Sequence, residues 1–172
     1  MARVYLSLGS NVDRENKICA ALDALKQNFE QLVLSSVYES AAVGFEGDAF
    51  LNMVAGIDTD LTVGELLACL RTIENENGRD RSGARFSSRT LDIDILTYDD
   101  VVGTVDGVDL PRDEILKNAF VLWPLAEIAG EENHPVLEKK YSLLWREFDK
   151  SLQELKPVFF DWNGQTISKS AA

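Results

Sequence analysis

At 172 residues, 45% hydrophobic and 27% charged, the chain has the composition of a folded globular protein and the length for one domain with a real core. Its net charge of −12 argues against a general nucleic-acid binder, because phosphate backbones are held mainly by Lys and Arg. No apolar run approaches the ~20 residues needed to cross a bilayer. The opening Met1-Ala2-Arg3-Val4-Tyr5-Leu6-Ser7-Leu8 reads as a strand and not as a secretory signal, so a cytoplasmic protein is expected.

Val4–Leu8 alternates as a strand and runs into Gly9-Ser10-Asn11, a turn cluster able to cap the next helix. From Arg14 to Phe29, Ile18, Ala21, Leu22, Leu25 and Phe29 recur at helical spacing. Leu32–Tyr38 reads as a second strand, Ala41–Ala49 as a Gly-containing loop, and Phe50–Ile57 as a third strand. A second helix is expected over Leu61–Asn75, with Leu66, Leu67, Leu70 and Ile73 on its apolar face, Asp60 or Thr62 near its start and Gly78 closing it. Arg79–Arg89 has no apolar period and reads as a loop; a strand follows to Tyr98. Val101–Val105, flanked by Asp99-Asp100 and Asp106-Gly107, suggests a short hairpin or excursion. Beyond Pro111 come a short helical turn, the apolar Phe120–Leu125, and a C-terminal helix over Tyr141–Leu155. There is no internal repeat or linker, so residues 1–172 are read as one domain. The order β-α-β-β-α-β predicts an α+β, ferredoxin-like fold: an antiparallel sheet with helices on one face, plus C-terminal helical additions.

Cys19 and Cys69 lack CxxC spacing and read as buried or half-buried thiols of a reducing compartment. With His134 the only histidine, neither a Ser-His-Asp triad nor a zinc site can be built, and His134 itself reads as a surface or turn residue. Trp123, Trp145 and Met53 read as packing residues.

Chemistry concentrates in Arg89-Thr90-Leu91-Asp92-Ile93-Asp94-Ile95-Leu96. As a strand it sends Leu91, Ile93 and Ile95 to one face and Asp92 and Asp94 to the other, with the Asp Cα atoms roughly 6–7 Å apart. Magnesium takes one or two such carboxylates plus substrate phosphates, and a pair of ions so held can clamp a transferring phosphoryl group. The preceding segment carries Arg79, Arg81, Arg85 and Arg89 against the single acid Asp80, a local charge of +3 in an acidic chain. Planar guanidinium groups meet phosphate oxygens bidentately. No GxxxxGK[ST] or kinase-type Gly-rich loop is present, so a nucleotide must be held by metal and side chains.

With Leu8-Gly9-Ser10-Asn11, Phe50-Leu51-Asn52, Ile73-Glu74 followed by Gly78-Arg79, Arg89-Thr90-Leu91-Asp92-Ile93-Asp94 and Phe120-Val121-Leu122-Trp123-Pro124-Leu125 in order, the chain resembles the 6-hydroxymethyl-7,8-dihydropterin pyrophosphokinases of folate biosynthesis over roughly residues 3–150. The remainder, 151–172, is a C-terminal extension. The resemblance implies a ferredoxin-like enzyme that moves pyrophosphoryl from ATP to the pterin hydroxymethyl oxygen and releases AMP. It implies Asp92 and Asp94 as ligands of two magnesium ions, and Arg79 and Arg89 as catalytic cations on the phosphates. Arg81, Arg85, Glu74, Ile95 and Arg112 fall to the ATP side; Asn52, Ser40 and Val43 fall to the pterin edge, with Phe50 and Phe120 stacked on the ring. Its partners are then small-molecule substrates, with neither nucleic acid nor membrane, and the chain is expected to be a monomer.

The pattern is also broken in places. Phe86-Ser87-Ser88 stands where the family usually has Trp-Gly-Pro, Arg112 where it has His, and Asn118 where it has Arg; Gly107 and Asp109 replace basic or hydroxyl groups. Most departures fall on the ATP side. They imply, as the alternative reading, a non-catalytic or regulatory pterin-binding paralogue of the same fold.

Overall fold

The computed structural model describes residues 1–40, 49–78 and 91–170, apart from the Leu152 side chain. Strand β1 (Ala2–Ser10) leads to helix α1 (Arg14–Asn28), then β2 (Leu32–Leu34), β3 (Val37–Ser40), β4 (Phe50–Thr59), α2 (Val63–Glu76) and β5 (Asp92–Tyr98). A hairpin of β6 (Gly103–Val105) and β7 (Val108–Leu110) follows, turning through Asp106 and Gly107 at φ 51° and 82°. Positive φ at both central residues suits the twist of a two-residue hairpin. After a 3-10 turn at Asp113–Leu116 come α3 (Ala119–Ala129), α4 (Tyr141–Glu147), β8 (Leu155–Val158), β9 (Phe160–Trp162) and β10 (Gln165–Ser168).

The main sheet has the order β5-β1-β4-β3-β8, with β2 also on β4, and every pairing is antiparallel. This is the predicted ferredoxin-like arrangement. Alternation sorts each strand between two cores. Leu6, Leu8, Leu51, Met53, Ile93 and Ile95 face α1 and α2, packing with Ile18, Leu22, Leu66 and Leu70. Tyr5, Val54 and Leu96 face α3 and α4, packing with Val121, Leu122, Leu125 and Tyr141. Each fully buried Leu or Ile contributes about 1.5–3 kcal/mol over leaving it exposed. Met53 is packing, as expected. Helix α2 opens on a capping box: Glu65 N–H donates to the Thr62 hydroxyl and Thr62 N–H to the Glu65 carboxylate.

Four expectations need correcting. Gly9 and Ser10 do not cap α1 but extend β1, and α1 starts after Asp13, which adopts φ 49°. The expected strand over Leu32–Tyr38 breaks at Ser35-Ser36, where the Ser35 hydroxyl accepts from Val54 N–H and donates to the Ser36 carbonyl. Ser36 N–H, Ser36 hydroxyl and Tyr38 hydroxyl all donate to Glu127, which pins α3 to the sheet. The C-terminal helix stops at Glu147: Phe148 is extended, Asp149 accepts from Ser151 N–H, and the chain becomes β8 along β3. The tail then forms the β9–β10 hairpin through Asn163-Gly164, so the C-terminal addition is more strand than helix. His134, finally, is a turn residue but not a surface one: it is 3% exposed, and its Nδ1 accepts from the N–H groups of Val136 and Leu137, both at 3.2 Å.

Cys19 and Cys69 are free and half-buried, as expected. Among the described residues no helix is long and apolar enough to cross a membrane.

Candidate active site

Register puts the chemistry on one row. Gly9 of β1 pairs with Asp92 of β5 on one side and Asn52 of β4 on the other, and Asn52 pairs with Tyr38. One step along, Ser7 lies between Asp94 and Val54. By the two-residue alternation Asp92, Asp94, Gly9, Asn52 and Phe50 share the face that carries α3, at the end beyond the packed cluster of Tyr5, Val54 and Leu96. Two strand spacings separate Asp92 from Asn52, about 10 Å.

At the β5 end, Asp94 is mostly buried, with 15% of its side chain exposed. Burial pushes its carboxyl above the ordinary carboxylate range; Asp92 and Glu114 add to the shift, while Arg112 and Arg71 oppose it. Arg112 is set by its own backbone, whose N–H donates to the Leu96 carbonyl. Its Nη2 lies 3.0 Å from Glu114 and 3.9 Å from Asp94, while its buried Nε has no hydrogen-bond partner among the described residues. The described residues contain no cluster of three acidic, His or Cys side chains fit to hold a metal. Two carboxylates on one strand are nevertheless a donor set that suits magnesium, which completes its octahedron with water and substrate phosphates.

At the β4 end, Asn52 is buried and donates from Nδ2 to the Ser40 hydroxyl at 2.7 Å. Its Oδ1 lies toward Gly9, where a Cβ would come within 3.1 Å of it. Phe50, two residues before Asn52, is half-buried, and Phe120 is half-buried in the first turn of α3. The start of α3 is capped from the tail. Ala119 N–H donates to Gln153 Oε1 at 2.7 Å, and Gln153 Nε2 donates to Asn118 Oδ1 at 3.3 Å.

The model of the family described as 7,8-dihydro-6-hydroxymethylpterin-pyrophosphokinase (HPPK) matches residues 5–130. The chain belongs to this family. It is 38% identical over 159 residues to the 2-amino-4-hydroxy-6-hydroxymethyldihydropteridine pyrophosphokinase of Aquifex aeolicus, covering 91% of this chain and 92% of that one. To the protein of the same name in Bacillus subtilis it is 41% identical over 131 residues, covering 74% and 78%. Among solved structures it is similar to Plasmodium falciparum HPPK-DHPS wild type with pterin and p-hydroxybenzoate, with a TM-score of 0.73 at 13% identity. That match covers 97% of this chain and 48% of the longer one, and it establishes the fold alone.

The expected site residues are therefore distributed as follows. Asp92, Asp94 and Arg112 gather at the β5 end, Ile95 turns its side chain to the opposite face and into the core under α1 and α2, and Ser40, Phe50, Asn52 and Phe120 belong to β3, β4 and the start of α3. Glu74 is not poised at a surface: its carboxylate is fully buried, accepting from Ile93 N–H and from Arg71. Arg79, Arg81, Arg85, Arg89 and Val43 lie outside the described residues, as do Phe86, Ser87 and Ser88. Three contributors went unread in the sequence: Arg71, Gln153 and the vacant side-chain position at Gly9. Trp123 and Trp145 are half-buried packing residues at the margin of the second core, Trp145 against its cluster and Trp123 against Tyr38. Stacked with ring centroids 5.0 Å apart, they wall a cavity of about 680 Å³ that also touches Ser40 and Gln153.

Proposed function

We propose that the protein catalyses magnesium-dependent transfer of pyrophosphoryl from ATP to the hydroxymethyl oxygen of 6-hydroxymethyl-7,8-dihydropterin, releasing AMP, in folate biosynthesis. One observation carries the reading: Asp92 and the Asn52 amide stand in one row of one sheet face with only Gly9 between them, and Asp94 stands on the same face one row along. A phosphate chain anchored at Asp92 and Asp94 can then meet an alcohol anchored at Asn52 with no side chain between them.

The acceptor alcohol forms a bond to the β-phosphorus as the bond from that phosphorus to the α–β bridging oxygen breaks. The electron pair leaves with AMP, and the alcohol proton passes to water. Such a transfer asks the protein for positioning and charge stabilisation more than for covalent help. Asn52 Oδ1 accepts from the N–H groups on the pterin edge, its own amide held by Ser40 so that little reorganisation is needed on binding. Phe50 and Phe120 stack on the ring, with Val43 near its edge. Arg79, Arg81, Arg85, Arg89 and Arg112 supply cations for the phosphate oxygens, and the backbone at Ile95 lies to the nucleotide side. Two magnesium ions held by Asp92 and Asp94 would neutralise charge on the phosphates and polarise the transferring group. On this reading the enzyme acts as a cytoplasmic monomer.

Incubation of the protein with ATP, magnesium and the pterin alcohol, followed by nucleotide separation, tests the assignment. AMP is expected in step with consumption of the pterin. ADP as the sole nucleotide product, or no turnover at saturating substrates, contradicts it.

A further inference from the structure

β5 ends the sheet: β1 pairs along one side, and among the described residues no strand pairs along the other. In an antiparallel pair alternate residues turn both N–H and C=O away from the partner. At Ile93 these outward groups meet side chains of α2. Ile93 N–H donates to Glu74 Oε2 at 2.8 Å, and the Ile93 carbonyl accepts from Arg71 Nη1 at 3.2 Å. Arg71 Nη1 also donates to Glu74 Oε1 at 2.8 Å, from one turn earlier on the helix.

A fully buried carboxylate is an expensive way to cover a sheet edge, which proteins usually protect with exposed charges, bulges or short strands. The location gives the reason. Ile93 is the residue between Asp92 and Asp94. Its N–H belongs to the peptide that joins it to Asp92, and its carbonyl to the peptide that joins it to Asp94. Fixing these two planes fixes the directions in which both aspartate side chains leave the strand, against the mutual repulsion of two adjacent negative charges. Arg71 also lends Asp94 a favourable charge from behind.

We propose that Arg71 and Glu74 are positioning residues that clamp the two peptides flanking Ile93, so that Asp92 and Asp94 converge on a metal–nucleotide complex. The inference rests on the function proposed above. It gives Glu74 a part in nucleotide use that runs through β5 and not through contact with the nucleotide.

The test titrates manganese against the protein in the presence of α,β-methylene ATP, followed by electron paramagnetic resonance; this analogue lacks the cleavable bridging oxygen. Pterin affinity is measured separately, at metal concentrations saturating for each variant. Arg71 is partly exposed, so Arg71→Leu is expected to stay folded while weakening manganese affinity about 10-fold or more, with pterin affinity within twofold of the original. Glu74→Gln keeps an acceptor for Ile93 N–H and is expected to retain manganese affinity within about threefold. Glu74→Ala, which leaves Ile93 N–H and Arg71 without that acceptor, is expected to lose the most. Should Glu74→Ala fail to fold, the Arg71→Leu and Glu74→Gln pair still decides. Manganese affinity unchanged in Arg71→Leu overturns the proposal, and so does an equal loss of metal and pterin binding. If the original protein binds no manganese–nucleotide at all, the carboxylate assignment fails instead, which is a distinguishable result.

Discussion

At the β5 end of the site, Asp94 is mostly buried beside a second carboxylate, and among the described residues the cation paired with it, Arg112, stands 3.9 Å away and closer to Glu114. At the β4 end, Asn52 is more deeply buried, yet its amide already donates to Ser40 at 2.7 Å. Among the described residues the first arrangement sets two carboxylates side by side, with Arg112 and Arg71 only partly offsetting the raised titration of Asp94; the second is neutral, with its amide donor already engaged. Under the proposed function, one sheet carries a metal–phosphate end whose energetics improve on binding and a ring-binding end whose anchor is already held. Gly9 is the bare strip between them.

The largest separation between the two ends is expected from Asp94→Asn. Turnover should fall by about 10³-fold or more, while the metal-free protein becomes more stable by about 1–3 kcal/mol, because a buried charge beside a like charge is removed. Thermal unfolding and steady-state kinetics on the same preparation check both. If stability falls instead, Asp94 is not under tension.

Asn52→Ala should act at the other end alone. It is expected to raise KM for the pterin about 10–100-fold through loss of a buried hydrogen bond, leaving the magnesium dependence unchanged. A matching shift in magnesium dependence would erase the distinction between the ends.

The strip between the ends should be sensitive to size. An alanine Cβ at Gly9 would sit 3.1 Å from Asn52 Oδ1, so the amide must give way. Gly9→Ala is expected to lower kcat/KM about 10-fold with little change in unfolding midpoint, and Gly9→Val to lower it further.

A smaller effect follows from pH. Because Asp94 titrates above the ordinary carboxylate range, the native state holds a proton that the unfolded chain has already released. The metal-free protein therefore loses stability as pH rises from the ordinary aspartate value through the raised one. Magnesium should restore it, with a larger gain in unfolding midpoint at pH 8 than at pH 5.5; in Asp94→Asn that difference should shrink.

Much of this arrangement could be read in the sequence because it rests on local periodicity. Alternation placed Asp92 and Asp94 on one face of a strand, and helical spacing located α1 and α2. What stayed hidden depends on partners distant in the chain. Arg71 and Glu74 acquire meaning only when α2 lies along the outer edge of β5. Gln153 matters because the tail returns to the start of α3, which the apolar spacing of Leu143, Leu144, Trp145, Phe148 and Leu152 concealed by mimicking a continuing helix. There the turn at Asp149-Lys150-Ser151 outweighs periodicity, and Asn163-Gly164 was an available hairpin signal. His134 was misjudged from its acidic neighbours; its ring serves two backbone amides of a tight turn.

The central claim is that metal and pterin occupy one row across β5, β1 and β4. It is tested most directly by paramagnetic relaxation of pterin protons in the complex with manganese and α,β-methylene ATP. The account predicts strong relaxation of the bound pterin, greatest at the hydroxymethyl protons, from a metal within about 10 Å. No enhancement, or a greater effect at the far edge of the ring, would contradict it.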